Sequence, residues 1–150
     1  MSGPLVRVRR QADLPGCVAA LRAVHEADAY PLNWPADPTG WLDPPGLARA
    51  WVAELPEGTI AGHVAVQAGE LCRLFVTPAA RRRSVGTALV REATAWAAEH
   101  DLALSLDVTD EQRSAAVAFY AATGWQHTHT SQADWTAPDG GPVHLRHYTL

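Results

Sequence analysis

A chain of 150 residues is one domain's worth, enough to bury about 70% of the surface its unfolded form exposes. Its 47% hydrophobic and 19% charged residues exclude disorder, collagen-like repeats and low complexity as global descriptions. Twelve basic residues, all Arg, against sixteen acidic ones leave a net charge of -4; a general nucleic-acid binder is disfavoured, because phosphate affinity rests on a basic excess.

Leu5 to Arg9 alternates as a first strand. Asp13 offers a helix N-cap just before Pro15, and Leu14, Val18, Leu21 and His25 share one face of a helix running to about Ala27. The stretch from His25 to Pro45 holds five of the eleven prolines and two of the six tryptophans. It reads as a long stiffened loop, either a substrate-contacting lid or a segment that Trp34 and Trp41 plug onto the core. A short helical turn is expected at Gly46 to Arg49. Trp51 to Leu55 and Thr59 to Val66 then form a hairpin around Pro56-Glu57-Gly58, and Glu70 to Val76 follows as an antiparallel neighbour. A helix from about Ser84 to His100 presents Val85, Leu89, Ala93 and Trp96 as one stripe. Leu102 to Val108 alternates as a strand, a helix carries Ala116, Phe119, Tyr120 and Thr123 up to Gly124, and two last strands flank Asp139 to Pro142. The order predicts one mixed α and β domain over residues 1–150, with a strand-helix-strand unit in its middle that brings two strands parallel.

Cys17 and Cys72 have neither disulfide-framework nor zinc-ligand spacing. No apolar run approaches the roughly 18 residues of a membrane span, and the N-terminus has no signal-peptide core. The expectation is a cytoplasmic protein without a membrane partner. His127 and His129 share one face of a strand by parity and His144 and His147 do not, so no metal is expected.

The most informative segment is LFVTPAARRRSVGTALV, Leu74 to Val90, a strand entering a basic turn and then a helix that begins with small residues. Unpaired N–H groups at such a helix start carry the positive end of the dipole, and Ser84, Gly86 and Thr87 keep bulk low where a phosphate approaches. The competing reading is a helix capped by Ser84 beside three solvated arginines. Arg81-Arg82-Arg83-Ser84-Val85-Gly86 resembles the R/Q-x-x-G-x-G/A signature of the GCN5-related N-acetyltransferase (GNAT) superfamily. Arg113 to Trp125, RSAAVAFYAATGW, is similar to a second element of that family, N-x-x-A-x-x-F-Y-x-x-x-G-F. The resemblance covers nearly the whole chain. It departs at Ser84, where the family has its first glycine, and at Arg113, which replaces Asn and can serve the following helix or a phosphate.

The resemblance implies a GNAT-like fold: a mostly antiparallel twisted sheet of about seven strands with a splayed parallel pair, flanked by about four helices. It implies acetyl-CoA as co-substrate, its pantetheine arm pairing against Leu74, Phe75 and Val76 and its diphosphate reaching Arg81, Arg82, Arg83, Ser84, Val85, Gly86, Thr87 and Arg113. Tyr120 matches the family's general acid. Glu70 stands where some members carry a base, with His25, Asp28 and Asp107 as alternatives. The acceptor is then a small-molecule or peptide amine. The proline-rich lip holds Glu26, Asp28, Asp37 and Asp43 with no Arg between Ala23 and Ala48, so Asp28, Tyr30, Trp34 and Trp41 can offer acidic and aromatic contacts to a cation. A homodimer through the C-terminal hairpin with Trp125 and Trp135 is a further option. The alternative function is a non-catalytic acyl-CoA-binding regulatory module. Acetylation of charged RNA is disfavoured by the net charge.

Overall fold

The computed structural model describes residues 4–81, 84–109 and 113–150, and for 113–117 only the backbone. Seven strands and four helices alternate as β1 (Leu5–Val8), α1 (Leu14–Asp28), α2 (Pro38–Leu42), β2 (Leu47–Glu54), β3 (Ile60–Gln67), β4 (Glu70–Val76), α3 (Val85–Glu99), β5 (Ser105–Thr109), α4 (Arg113–Ala122), β6 (Gln126–Thr136) and β7 (Pro142–Thr149). The strands form one sheet in the order β1-β2-β3-β4-β5-β7-β6. Every neighbouring pair is antiparallel except β4 and β5, the two strands that α3 connects.

Hydrophobic residues bury themselves on both faces of the sheet. On one face, Val85, Leu89, Val90, Ala93 and Ala97 of α3 and Tyr120 of α4 pack with Trp51, Val64, Val66, Leu71 and Leu106. On the other, Leu14, Cys17, Leu21 and Val24 of α1 and Leu42 of α2 pack with Val52, Ile60 and Phe75. Burying side chains of this size is worth roughly 1.5–3 kcal/mol each before chain entropy is charged against it.

Local details depart from the sequence expectations where a tertiary partner wins. Asp13 does not cap α1: its own backbone is already helical, and its carboxylate accepts from Arg7 Nη1 and Nη2 at 2.8 and 2.9 Å and from the Arg10 N–H at 2.7 Å. That guanidinium holds the carboxyl down at about 2. Gly46 to Arg49 is not a helical turn. β2 begins at Leu47, because Leu47 and Arg49 pair with Gln67 and Val66 across an irregular register. The only helix between α1 and β2 is the five-residue α2, whose N-cap Asp37 accepts from the Gly40 N–H at 3.1 Å. Leu102 and Leu104 precede β5 rather than lie in it.

The parity reading of His127 and His129 also fails. His127 opposes Tyr148 and His129 opposes His147, with a register shift between them. Tyr148 and His147 are adjacent on β7 and face opposite ways, so the extra residue, Thr128, puts the two histidines on opposite faces. Trp125 is buried beneath Tyr120, at 4% exposure, and is not available to a second copy; Trp135 is 39% exposed. Among the described residues no helix is long and apolar enough to cross a membrane.

Gly62 on β3 lies directly beneath α3. A Cβ there would lie 2.9 Å from Leu89 Cδ1, 3.0 Å from the Phe75 carbonyl and 3.1 Å from Val85 Cγ1. Gly62→Ala is expected to lower stability by about 1–3 kcal/mol through overpacking, read as a shifted urea midpoint at unchanged slope.

Candidate active site

β4 carries one residue too many for its partner. His63 pairs with Phe75 and Ala65 with Cys72, so Val64 alone opposes Arg73 and Leu74, a β-bulge. Arg73 accommodates it at φ 53°, a left-handed conformation unusual for a residue with a side chain. The bulge resets the alternation: Leu71 and Leu74 both reach the α3 side, whereas Phe75 enters the core under α1.

A buried polar network grips this bulge. His63, fully buried, places Nδ1 2.8 Å from the Arg73 carbonyl and Nε2 3.0 Å from Arg9 Nη1. A carbonyl only accepts and a guanidinium only donates, so Nδ1 bears the proton and Nε2 accepts. Arg9 also donates to the Leu42 carbonyl and to Asp43 Oδ1, both at 2.6 Å. Arg73 Nε donates to the Trp41 carbonyl at 3.0 Å, and its guanidinium lies 4.0 Å over the Trp41 ring. The end of α2 is thereby tied to β1, β3 and β4 together.

Beyond the bulge β4 and β5 part. Glu70 with Ser105 is the one register pair between them among the described residues. The β5-facing backbone of Leu74 to Val76 is left as an open edge, a place for an extended amide-bearing arm. Leu74 and Val76 are half-buried and Phe75 is buried, stacked on His63 at 5.3 Å.

At the far end of this edge stands the N-terminus of α3. Ser84 occupies the N-cap at φ 58° and makes no side-chain cap, so the capping role of the competing reading is not taken up; among the described residues no side chain caps the first N–H groups of α3, which can serve an outside acceptor. The left-handed conformation explains why a glycine suits this position. Val85 is buried against Gly62, and Thr87 is half-buried. Gly86 leaves room beside Phe119 and Val76, each 3.6–3.7 Å from where its Cβ would stand. Arg81 is exposed, donates to the Val76 carbonyl at 3.3 Å and forms an ion pair with Asp28. Arg82 and Arg83 lie outside the described residues. Arg113 opens α4, and its side chain is likewise outside them.

Residues from both faces converge on the gap. Tyr120 is 8% exposed and packs edge-on to Phe119 and Trp125. Burial, then the phenols of Tyr30 and Tyr148, push its pKa above the usual 10. Tyr30, from the α1–α2 loop, is raised by burial, with Arg73 opposing and Cys72 and Asp107 adding. Glu70 is raised by burial and then by Asp107, while His147 and Arg73 pull it back. His147 stacks on His129 with ring centroids 4.2 Å apart and shares a 2.6 Å hydrogen bond with Ser131 Oγ.

Trp34 does not join this group. It lies against α1, 5.2 Å from the His25 ring and under the Arg22 guanidinium at 4.7 Å, and so anchors the loop. His25 also serves that loop, 2.8 Å from the Pro31 carbonyl. Trp41 stands between Tyr30 and Arg73. Asp28 is engaged with Arg81 rather than standing alone at the lip. Sequence reasoning missed Arg9, His63 and Arg73; the available signal was a lone histidine inside the apolar run Ile60 to Val66.

The profile of the acetyltransferase (GNAT) family matches residues 17–125. No curated protein matches the chain in sequence. Among solved structures, the Escherichia coli ribosomal-protein-S18-alanine N-acetyltransferase superposes with a TM-score of 0.77 at 18% identity, covering 98% of this chain and 92% of that one. An N-acetyltransferase from Staphylococcus aureus Mu50 gives 0.79 at 14% identity, with 99% and 98% covered. A GCN5-related N-acetyltransferase from Kribbella flavida gives 0.69 at 23% identity, with 99% and 98% covered. These likenesses show the fold, including the parallel pair within an otherwise antiparallel sheet.

The buried network also makes the fold acid-sensitive. Burial first, aided by the charges of Arg9 and Arg73, lowers His63 from 6.5 to about 4 although its bond to the Arg73 carbonyl acts the other way. The unfolded ring takes up a proton below about pH 6.5 and the folded ring does not until about 4, so stability is full above pH 6.5 and is lost as pH falls toward 4. The loss is about 3 kcal/mol from this residue; Glu70, raised by the fold, acts in the opposite direction. Melting temperature measured from pH 7 to 4 is expected to fall, and to fall less steeply in His63→Asn.

Proposed function

Because the chain belongs to the acetyltransferase (GNAT) family and is an acyltransferase, we propose that it moves an acetyl group from acetyl-CoA to a primary amine of a small molecule or peptide by direct attack. The observation that carries this reading is the splay after Glu70 and Ser105, which leaves the Leu74 to Val76 edge open beside an uncapped α3 N-terminus. The family uses acetyl-CoA as co-substrate, and bound there it supplies an activated thioester. The open edge and the outward N–H groups fit the pantetheine amides and the diphosphate respectively. Ser84, Val85, Gly86 and Thr87 are the phosphate-side residues. Arg81, Arg82, Arg83 and Arg113 are the basic groups assigned to that end, and Arg81 exchanges Asp28 for a phosphate when the cleft fills.

Three tasks fall to the protein: the amine must lose a proton, the carbonyl must be polarised and the leaving sulfur must be met by a donor. Tyr120 is kept protonated by burial and is the donor. Glu70 has its carboxyl raised by burial and by Asp107, which makes it a better base than an ordinary surface carboxylate. Backbone N–H on the open Leu74 to Val76 edge, next to the bulge, polarises the carbonyl. Tyr30 and Trp41 wall the acceptor side, and Asp28, Glu70 and Asp107 make it favourable for a cation. Direct attack is preferred over an acetyl-cysteine route because burial raises the Cys72 thiol, which leaves little thiolate. Free thiols at Cys17 and Cys72 suit the cytoplasm assigned to this reaction.

Thiol release from acetyl-CoA with pooled amines, amino acids, aminoglycosides and peptides, read with mass detection of the acetylated product, tests the reading. No acetylated amine in any class would count against it. In the active class, Tyr120→Phe is expected to lower kcat about 10²-fold while acetyl-CoA affinity stays within about 3-fold. Glu70→Gln is expected to lower kcat/KM about 10–10²-fold and to remove the acidic limb of its pH profile. Equal loss of cofactor binding in Tyr120→Phe would assign that residue to packing instead.

A further inference from the structure

The Arg9–His63–Arg73 network lies outside the groups assigned above, yet it touches both halves of the cleft. His63 bonds the carbonyl of the bulge residue on the cofactor strand, and Arg9, bonded to the same ring, holds the end of α2 through Leu42 and Asp43. The α2 residue Trp41 is bound back to the bulge by Arg73. The links therefore close a ring from α2 through β1 and β3 to β4 and back. His63 at the centre of this ring is fully buried and the Arg9 side chain nearly so, whereas Asp43 is exposed and Trp41 and Arg73 are half-buried; a partner of the imidazole that loses it is left facing a desolvated position, which is costly.

We propose that His63 is a positioning residue for acetyl transfer, one that holds the β4 bulge in the shape that receives the thioester end of acetyl-CoA and couples that shape to the α2 wall of the acceptor site. The proposal rests on the reading that acetyl-CoA lies along β4. With the diphosphate at the α3 N-terminus, which follows Val76 in the chain, an arm running back along the open edge brings its far end to Leu74 and Arg73. The bulge is therefore felt by the acetyl group more than by the nucleotide. Arg73 sits in a left-handed conformation that is strained for a residue with a side chain and persists only where its surroundings over-determine it. The His63 bond to its carbonyl and the Trp41 anchor on its side chain are the two restraints that do so.

Two isosteres separate the bonds of the ring. Asn places an amide N–H near the Nδ1 position, so His63→Asn keeps the bulge bond and drops Arg9. Gln places its amide near Nε2, so His63→Gln keeps Arg9 and leaves the Arg73 carbonyl without its donor. His63→Phe keeps the stacking on Phe75 and removes both. CoA and acetyl-CoA are titrated calorimetrically into wild type and each variant, after thermal melts have shown which are folded.

The expected result is that Gln and Phe lose about 10-fold in acetyl-CoA affinity and about 3-fold or less in CoA affinity, while Asn stays within about 3-fold of wild type for both; 10-fold corresponds to one lost interaction of about 1.4 kcal/mol. Amide exchange, measured without ligand, is expected to rise over 70–76 in Gln and over 38–43 in Asn. Wild-type acetyl-CoA affinity in folded Gln, or an Asn variant as impaired as Gln, overturns the role of His63. If Gln and Phe do not fold, Asn decides, since its loss of acetyl-CoA affinity with the bulge bond kept is the same contrary result. Failure of wild type itself to bind acetyl-CoA overturns the functional reading and this inference with it.

Discussion

The backbone of β4 turns out of register at Arg73, and the shape of the cleft follows from how that turn is held. Two residues oppose one across β3, so the strand bends and its side chains change faces after the bulge. Leu74 and Val76 can then seat on the α3 side while Phe75 enters the α1 core. The bulge residue is anchored by its carbonyl on His63 and by its side chain on Trp41. Gly62, one residue before His63, allows α3 to lie close enough for Leu89 and Val85 to cover the same stretch.

From this arrangement the electrostatics of the site are built by burial more than by charge. Tyr120, Tyr30 and Glu70 are each shifted chiefly because the protonated, neutral form is the one a poorly solvated cleft tolerates. The raised carboxyl moves toward the working pH, which suits a base, whereas the raised phenols stay protonated and are suited to donating a hydrogen bond rather than to giving up the proton. The exposed Arg81–Asp28 pair bridges the turn before α3 to the end of α1, and it is a weak tie of the kind a ligand can exchange.

Much of the candidate site was legible because its parts are local in sequence. The basic turn entering a helix with small first residues, and the helix with Phe119 and Tyr120 closed by Gly124, are each contiguous; the anion-binding reading of the first follows from backbone geometry at a helix start, and the role of Tyr120 from the resemblance to the family's second element. Ser84 was legible as a position and not as a cap: the left-handed conformation that the turn demands takes its hydroxyl away from the capping geometry. Asp13 failed as a cap for a different reason, since Arg7 offers it two charge-assisted bonds and these outweigh a single bond to a helix N–H.

Periodicity by itself determined the order of the strands and of the three longer helices, the parallel pair implied by the strand-helix-strand unit and the helix start at which phosphate binding is assigned, but not the short α2 (Pro38–Leu42) inside the proline-rich stretch. The bulges were decided by the tertiary structure alone. Nothing in Glu70 to Val76 marks Arg73 as the extra residue, and nothing in Gln126 to Thr136 marks Thr128, because a bulge is a relation between two strands and not a property of one. The same holds for the ring of Arg9, His63 and Arg73. Its members are separated by 54 and 10 positions, and only the pairing of the strands in one sheet and the packing of α2 on it bring the two arginines to the fully buried His63, where a single histidine must be neutral and twice hydrogen-bonded to remain.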